Sequence, residues 1–193
     1  MSQREADERH VSEHEAGEDK ADAPVRIVAY DPAWRERFER ERIALATAIG
    51  EWSVGGIHHV GSTAVPGLAA KPIIDILVGV SSLEEARGCF DRLARLDYHY
   101  APYRTPEMHW FCKPPPSRRT YHLHLVAVDS QRFRDELAFR DHLRVRRDVA
   151  GEYGALKRRL GAHLEHDREA YTAGKAEFIR ATLDRPADER DRR

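Results

Sequence analysis

The sequence predicts an α+β domain, with helices packed on a mixed β-sheet and a helical C-terminal portion. Three observations carry this reading. Ile73 to Val80 is a nearly continuous apolar run, suited to a strand buried on both faces. Tyr121 to Val128 alternates apolar and polar positions, as a half-buried strand does. After Ser130 the apolar spacing becomes helical, with Phe133, Leu137 and Leu143 in one segment and Tyr153, Leu156, Leu160 and Leu164 in the next.

The remaining elements follow in chain order. Residues 1 to 22 hold almost no large apolar side chains and are rich in Glu, Asp, Arg and His, a composition that predicts a disordered tail. Pro24 marks the entry to a domain over residues 23 to 184, and residues 185 to 193 form a charged C-terminal tail. Val25 to Tyr30 reads as a short extended segment. Asp31-Pro32 matches an N-cap with proline in the first turn and starts a helix through Ile49, with an apolar stripe of Trp34, Phe38, Ile43 (with Leu45) and Ile49. Ile57 to Val60 is a strand. Ser82-Leu83-Glu84-Glu85 has the capping-box form and opens a helix to Leu96. Asp97 to Ala101 and Trp110 to Lys113 read as strands separated by a turn containing Pro106, and Pro114-Pro115-Pro116-Ser117 as a stiff exposed connection. A last helix carries Tyr171, Phe178, Ile179 and Leu183.

Composition narrows the function classes. With 193 residues, 41% hydrophobic and 34% charged, the chain suits one globular domain with charged ends. A formal net charge of -1 argues against a uniformly basic face, so constitutive nucleic-acid binding is not expected, although a local basic pocket is compatible with it. Cys89 and Cys112 lack metal-type spacing and read as reduced thiols of a cytoplasmic protein. No stretch approaches the ~20 apolar residues of a membrane span, and the N-terminus lacks a hydrophobic signal core. A cytoplasmic protein with no membrane association is expected, and its oligomeric state is open.

Chemistry concentrates between residues 57 and 78. An apolar strand runs into Gly61-Ser62, and a second strand carries Asp75 among Ile73, Ile74, Ile76, Leu77 and Val78. A charge in such surroundings costs several kcal/mol unless it is paired or binds a metal. Glycine lets backbone approach a phosphate closely, serine adds a hydroxyl donor, and a short helix begun at Thr63 would offer free N–H groups. A phosphate and a divalent cation bound together fit this pattern, while a purely structural role, with Asp75 capping a turn or pairing with an arginine, also accounts for it.

A Gly-Ser turn separated by twelve residues from a strand carboxylate resembles the nucleotidyltransferase superfamily. The likeness sharpens in His-Val-Gly-Ser-Thr-Ala-Val-Pro-Gly-Leu-Ala-Ala-Lys-Pro-Ile-Ile-Asp over 59 to 75, which resembles the core block of the GrpB family. It extends to Tyr121-His122-Leu123-His124-Leu125-Val126, to Phe139-Arg140-Asp141-His142-Leu143-Arg144, to Tyr153-Gly154-Ala155-Leu156-Lys157 and to Tyr171-Thr172-Ala173-Gly174-Lys175. The resemblance spans residues 25 to 183 and implies a nucleotidyltransferase-like fold. The family's activity is poorly defined, so the likeness informs fold more than function.

The chain departs from the superfamily signature two residues after Asp75, where Leu77 stands in place of a second carboxylate. Two-metal phosphoryl transfer uses several carboxylates, so a single metal ion, or none, is the expectation. Strand alternation puts His122 and His124 on one face, and with Asp75 they would make a two-histidine, one-carboxylate set, better suited to a transition metal than to Mg²⁺. The same pair could instead contact substrate or serve the fold.

Lys71, Lys113, Arg118 and Arg119 are candidate phosphate ligands, and Arg140 beside Asp141 is a local pair or a substrate clamp. Tyr153 with Lys157 and Tyr171 with Lys175 stand four residues apart, as amphipathic packing or as pocket walls. Of His58, His59 and His109, His59 lies nearest the Gly61-Ser62 turn. No Ser-His-Asp or Cys-His arrangement favours nucleophilic hydrolysis. The expected partner is a nucleoside triphosphate or another phosphorylated small molecule, with a divalent metal ion as cofactor and Asp75, His122 and His124 as catalytic or metal-holding groups. A non-catalytic nucleotide-binding or regulatory module with a degenerate metal site is the alternative.

Overall fold

The apolar runs form a five-stranded mixed sheet in a computed structural model that describes residues 24–103, 106–114 and 119–185. Its strands are β1 (Ile57–Val60), β2 (Ile74–Val80), β3 (His99–Tyr100), β4 (His109–Lys113) and β5 (Tyr121–Ala127), in the spatial order β1-β2-β5-β4-β3. Only β2 and β5 pair in parallel, with Asp75 opposite His122 and Leu77 opposite His124. β1 runs antiparallel to β2, setting His59 opposite Ile76 and Val60 opposite Asp75.

This register fixes two faces. Ile74, Ile76, Val78 and Val80 share one with Phe111, Leu123 and Leu125, and they pack against Trp34, Phe38, Leu45 and Ile49 of α1 (Ala33–Ile49) and Leu93 of α3 (Phe90–Arg95). Helix α1 begins where expected, the Ala33 amide donating to Asp31 Oδ1 at 2.9 Å. Its stripe differs from expectation at one place. Ile43 is 60% exposed, and Glu41 faces inward to meet Lys113 Nζ at 2.8 Å. Three- and four-residue steps from Phe38 lead through 41 to 45, leaving 43 on the outer side.

The opposite face carries Asp75, Leu77, Gly79, His122, His124 and Val126. Its apolar half, Val60, Leu77, Met108 and Val126, is covered by Phe133 and Leu137 of α4 (Gln131–Val145). Gly79 lets that helix dock, since a Cβ there would crowd the Phe133 ring and the Gly55 backbone. A third cluster ties Val65 and Leu68, after β1, to Leu143 of α4 and to Val149 and Tyr153 of α5 (Arg147–His163).

Two predicted helices are interrupted. The Ser82 hydroxyl caps as expected, accepting from the Glu85 amide at 3.2 Å, but α2 (Leu83–Ala86) gives way to a 3-10 turn over Arg87–Cys89 before α3. Gly88 lies within that turn, a residue of low helix propensity. The last helix is split into α6 (Arg168–Ala173) and α7 (Ala176–Leu183) by Gly174 and Lys175. The predicted tail at 1 to 22, residues 186 to 193 of the predicted tail at 185 to 193, and residues 115 to 118 of the proline connection lie outside the described residues.

Candidate functional site

The site begins where β1 ends. Gly61 has φ 68°, a conformation that disfavours any side chain, and a Cβ on it would collide with Asp75 Oδ2. Glycine is therefore required both by the turn and by the carboxylate lying against it. Ser62 to Ala64 then coil into a single 3-10 turn rather than a longer helix.

Asp75 Oδ1 accepts from His122 Nδ1 at 2.9 Å. Because an ionised carboxylate only accepts, Nδ1 carries the proton, and in the neutral ring Nε2 keeps its lone pair. Nε2 is buried and has no hydrogen-bond partner among the described residues. Burial lowers the His122 pKa by more than Asp75 raises it, so the ring is neutral near pH 7. Burial would raise the Asp75 pKa, but the His122 hydrogen bond, the nearby histidines and Lys175 together hold it below the ordinary carboxylate value.

His124 is oriented from the helix above. Its Nδ1 lies 3.3 Å from Glu136 Oε2, and Arg132 Nε pairs with Glu136 Oε1 at 2.9 Å. Burial would raise the Glu136 pKa, yet His124 and Arg132 outweigh it, and the carboxylate stays ionised. Sequence reasoning missed Glu136 and Arg132. They stand four apart on α4, a spacing also typical of solvated ion pairs, and only the docking of α4 points them at the sheet.

Asp75, His122 and His124 each offer one ligand atom, and these atoms lie within 4.8 Å of one another. One carboxylate oxygen and two imidazole nitrogens, one of the rings held by an outer carboxylate, fit a divalent transition metal better than Mg²⁺.

The helical residues singled out from sequence converge on the same carboxylate. Burial, with Tyr171 and Asp75 nearby, raises the Tyr153 pKa, and the Ser62 side chain acts in the opposite sense. Lys157 is 2% exposed and donates from Nζ to the Ala69 carbonyl at 2.5 Å. Burial, reinforced by Lys175 and Arg158, brings its pKa down to about 7. Lys175 Nζ sits 4.5 Å from the Tyr171 ring centre and Lys71 Nζ 5.7 Å from it. Burial lowers the Lys175 pKa, and Asp75 opposes that. Arg119 lies over the Trp110 ring at 5.5 Å, on the His122 side.

Three candidates sit elsewhere. Lys113 is on the far face of the sheet, paired with Glu41. His59 shares that far face, stacked on Phe38 with ring centres 4.7 Å apart. Its Nε2 lies 3.0 Å from Thr63 Oγ1, and that hydroxyl donates to the Ile73 carbonyl at 3.1 Å, so His59 Nε2 is the donor. Burial lowers its pKa to about 4. Arg140 grips Asp141 through two bonds of 2.8 Å and reaches the His59 carbonyl at 3.3 Å. Arg118 lies outside the described residues.

A mixed sheet whose second strand presents a carboxylate to a Gly-Ser turn has the nucleotidyltransferase-like fold. More particularly, the chain belongs to the GrpB family: the model of that family, described as GrpB protein, matches residues 24–185. The glutamate-rich protein GrpB of Alkalihalophilus pseudofirmus is 34% identical over 160 residues, covering 80% of this chain and 91% of that one. The UPF0157 protein YqkA of Bacillus subtilis is 32% identical over 156 residues, 81% of this chain but only 45% of the length of YqkA. The crystal structure of conserved protein GrpB from Enterococcus faecalis superposes with a TM-score of 0.71 at 32% identity, covering 82% of this chain and all of that one. A more distant likeness of fold alone, at 14% identity and TM-score 0.53, links 81% of this chain to 60% of a chain from the GLD-2/RNP-8 complex. Among the described residues no helix is long and apolar enough to cross a membrane.

Proposed function

We propose that the protein binds a nucleoside triphosphate or a related phosphorylated ligand together with one divalent metal ion, and transfers a nucleotidyl group to a small acceptor. The observation that carries this reading is the ionised Asp75, set between two imidazoles near the amines of Lys157 and Lys175 and against the Gly61-Ser62 turn. Asp75, His122 and His124 would hold the metal, which when bound would neutralise phosphate charge. Ser62 would donate to a phosphate oxygen, and Lys175 and Lys71 would neutralise the remaining negative charge. In the transfer the acceptor oxygen bonds to the α-phosphorus, the bond to the bridging oxygen breaks, pyrophosphate leaves, and the acceptor proton passes to solvent. The protein's part is positioning and charge neutralisation.

Leu77 favours a second reading. It is fully buried and stands opposite His124, where the superfamily signature has an acidic residue, so a nucleotide-binding module without turnover fits the same site. Calorimetry with ATP, with and without Mn²⁺, separates the two when run beside a pyrophosphate-release assay. The enzyme should lose turnover and metal-dependent affinity together in Asp75→Asn. Ser62→Ala should weaken binding by roughly 0.5–1.5 kcal/mol in either case. ATP affinity that is unchanged or tighter in Asp75→Asn, with metal and without, would sink the metal-dependent mechanism and leave the binding module.

A further inference from the structure

On the other side of the segment that follows Ser62 lies a cleft of about 1020 Å³. Its walls come from the extended segment before α1, from α1, from residues 63–69, and from α4 and α5. Four guanidinium groups line it: Arg35 of α1, Arg144 of α4, and Arg147 and Arg158 of α5. Those of Arg35, Arg147 and Arg158 form no hydrogen bond or ion pair with the described residues. Arg144 donates from Nε to the Ala64 carbonyl at 3.0 Å and has a loose ion pair with Asp141 at 3.5 Å. The one carboxylate among the lining residues, Glu39, is already bound to Arg42 at 2.8 Å. Between the cations the lining is apolar, with Phe38, Leu68, Leu143 and Ala150.

Like charges with little counter-charge around one concavity repel each other; at Arg144 burial first, and then the nearby Arg140 and Arg35, disfavour the charged form, while Asp141 opposes them. A polyanion relieves that repulsion, and guanidinium forks suit phosphate oxygens in particular. The apolar lining gives the uncharged part of such a molecule a surface to cover. We infer that this cleft is a second ligand site, independent of Asp75, for a small phosphorylated molecule whose phosphate is held by Arg35, Arg144, Arg147 and Arg158. The segment 63–69 separates the two sites, with Gly61-Ser62 against Asp75 and Thr63, Ala64 and Pro66 to Ala69 turned to the cleft.

The test is calorimetric titration of the full chain with inorganic pyrophosphate in buffer stripped of divalent metal, which takes the Asp75 metal set out of the measurement. The expected result is one saturable site, weakened about tenfold or more in the double variant Arg147→Ala/Arg158→Ala, as loss of charge-assisted hydrogen bonds implies. Both side chains are exposed, so the fold should survive, and circular dichroism of the variant checks this. Arg35→Ala should weaken binding by a smaller factor, and Asp75→Asn should leave it unchanged. No saturable binding, or binding that survives the double variant, would overturn the inference. So would loss of binding in Asp75→Asn, which would place the probe at the metal site. A single-stranded oligonucleotide that binds more tightly than pyrophosphate through the same arginines would replace a small-molecule site with a nucleic-acid groove. Failure of binding at these arginines leaves metal-dependent triphosphate binding at Asp75 standing, so the two proposals fail separately.

Discussion

The two faces of the sheet are built from the same two strands and do opposite work. On one, Ile74, Ile76 and Val78 of β2 meet Leu123 and Leu125 of β5 under α1, and those side chains exchange water for hydrocarbon. On the other, Asp75 meets His122 beside Leu77 and His124, and polar groups are kept from water by pairing with one another. One face supplies stability and the other carries a cost in desolvation, which is offset by hydrogen bonds and charge. Neighbouring residues can therefore differ completely in what they contribute, and substitution should separate the two.

The largest effect is expected on the apolar face. Ile76→Ala and Leu123→Ala should each lower the unfolding free energy by about 2–5 kcal/mol in a denaturant titration. The fraction that stays folded should bind metal as tightly as the parent. If metal affinity falls in step with stability, the two faces are not independent.

Gly61→Ala should affect stability and metal binding at once. Placing a side chain at φ 68°, ψ −171° costs about 1–3 kcal/mol from backbone strain alone, and the new Cβ would push Asp75 aside. Stability should drop by at least that amount, and metal binding measured by calorimetry should vanish. Full retention of metal binding would show that Asp75 does not need its position.

Glu136→Gln sharpens the comparison from the polar side. The amide keeps the shape and leaves His124 without a carboxylate to orient it, so Mn²⁺ or Zn²⁺ affinity should fall about 10–100-fold while the melting temperature changes little. An unchanged affinity would remove His124 from the metal shell.

The effect of Lys157 is read through pH. Its folded-state pKa of about 7 lies below its ordinary 10.5, so between these values the unfolded chain binds more protons than the native one. Stability from this group should rise as pH increases from about 7 towards 10.5. In Lys157→Met that slope should flatten, and the variant should be more stable than the parent below pH 7. Parallel pH profiles for the two proteins would mean that the amine remains solvated.

Much of this division is legible in the sequence. The Ile73–Val80 run, the alternation at 121–128 and the Asp31 and Ser82 capping signals correspond to β2, β5, α1 and α2. Asp75, His122 and His124 do stand together, because the run and the alternation place them on identifiable strands. What was not legible depends on register and docking. His59 lies two residues before Gly61, yet it belongs with Ile76 on the far face, since the positive φ of Gly61 ends the strand alternation before the turn. Glu136 looks like any exposed helical acid until α4 is laid on the sheet. Helix lengths failed at Gly88 and Gly174, where apolar spacing continues across residues that weaken the helix.

The parallel pairing of β2 with β5 also says when the site comes into being. Its central hydrogen bond joins residues 47 positions apart, and the chain between them holds α2, α3 and the antiparallel strands β3 and β4. Such a non-local junction closes slowly compared with a hairpin, because the loop entropy is lost before the contact forms. Ligand capture should therefore report completed folding: a chain halted before β5 has the turn and the carboxylate but no imidazole to meet them.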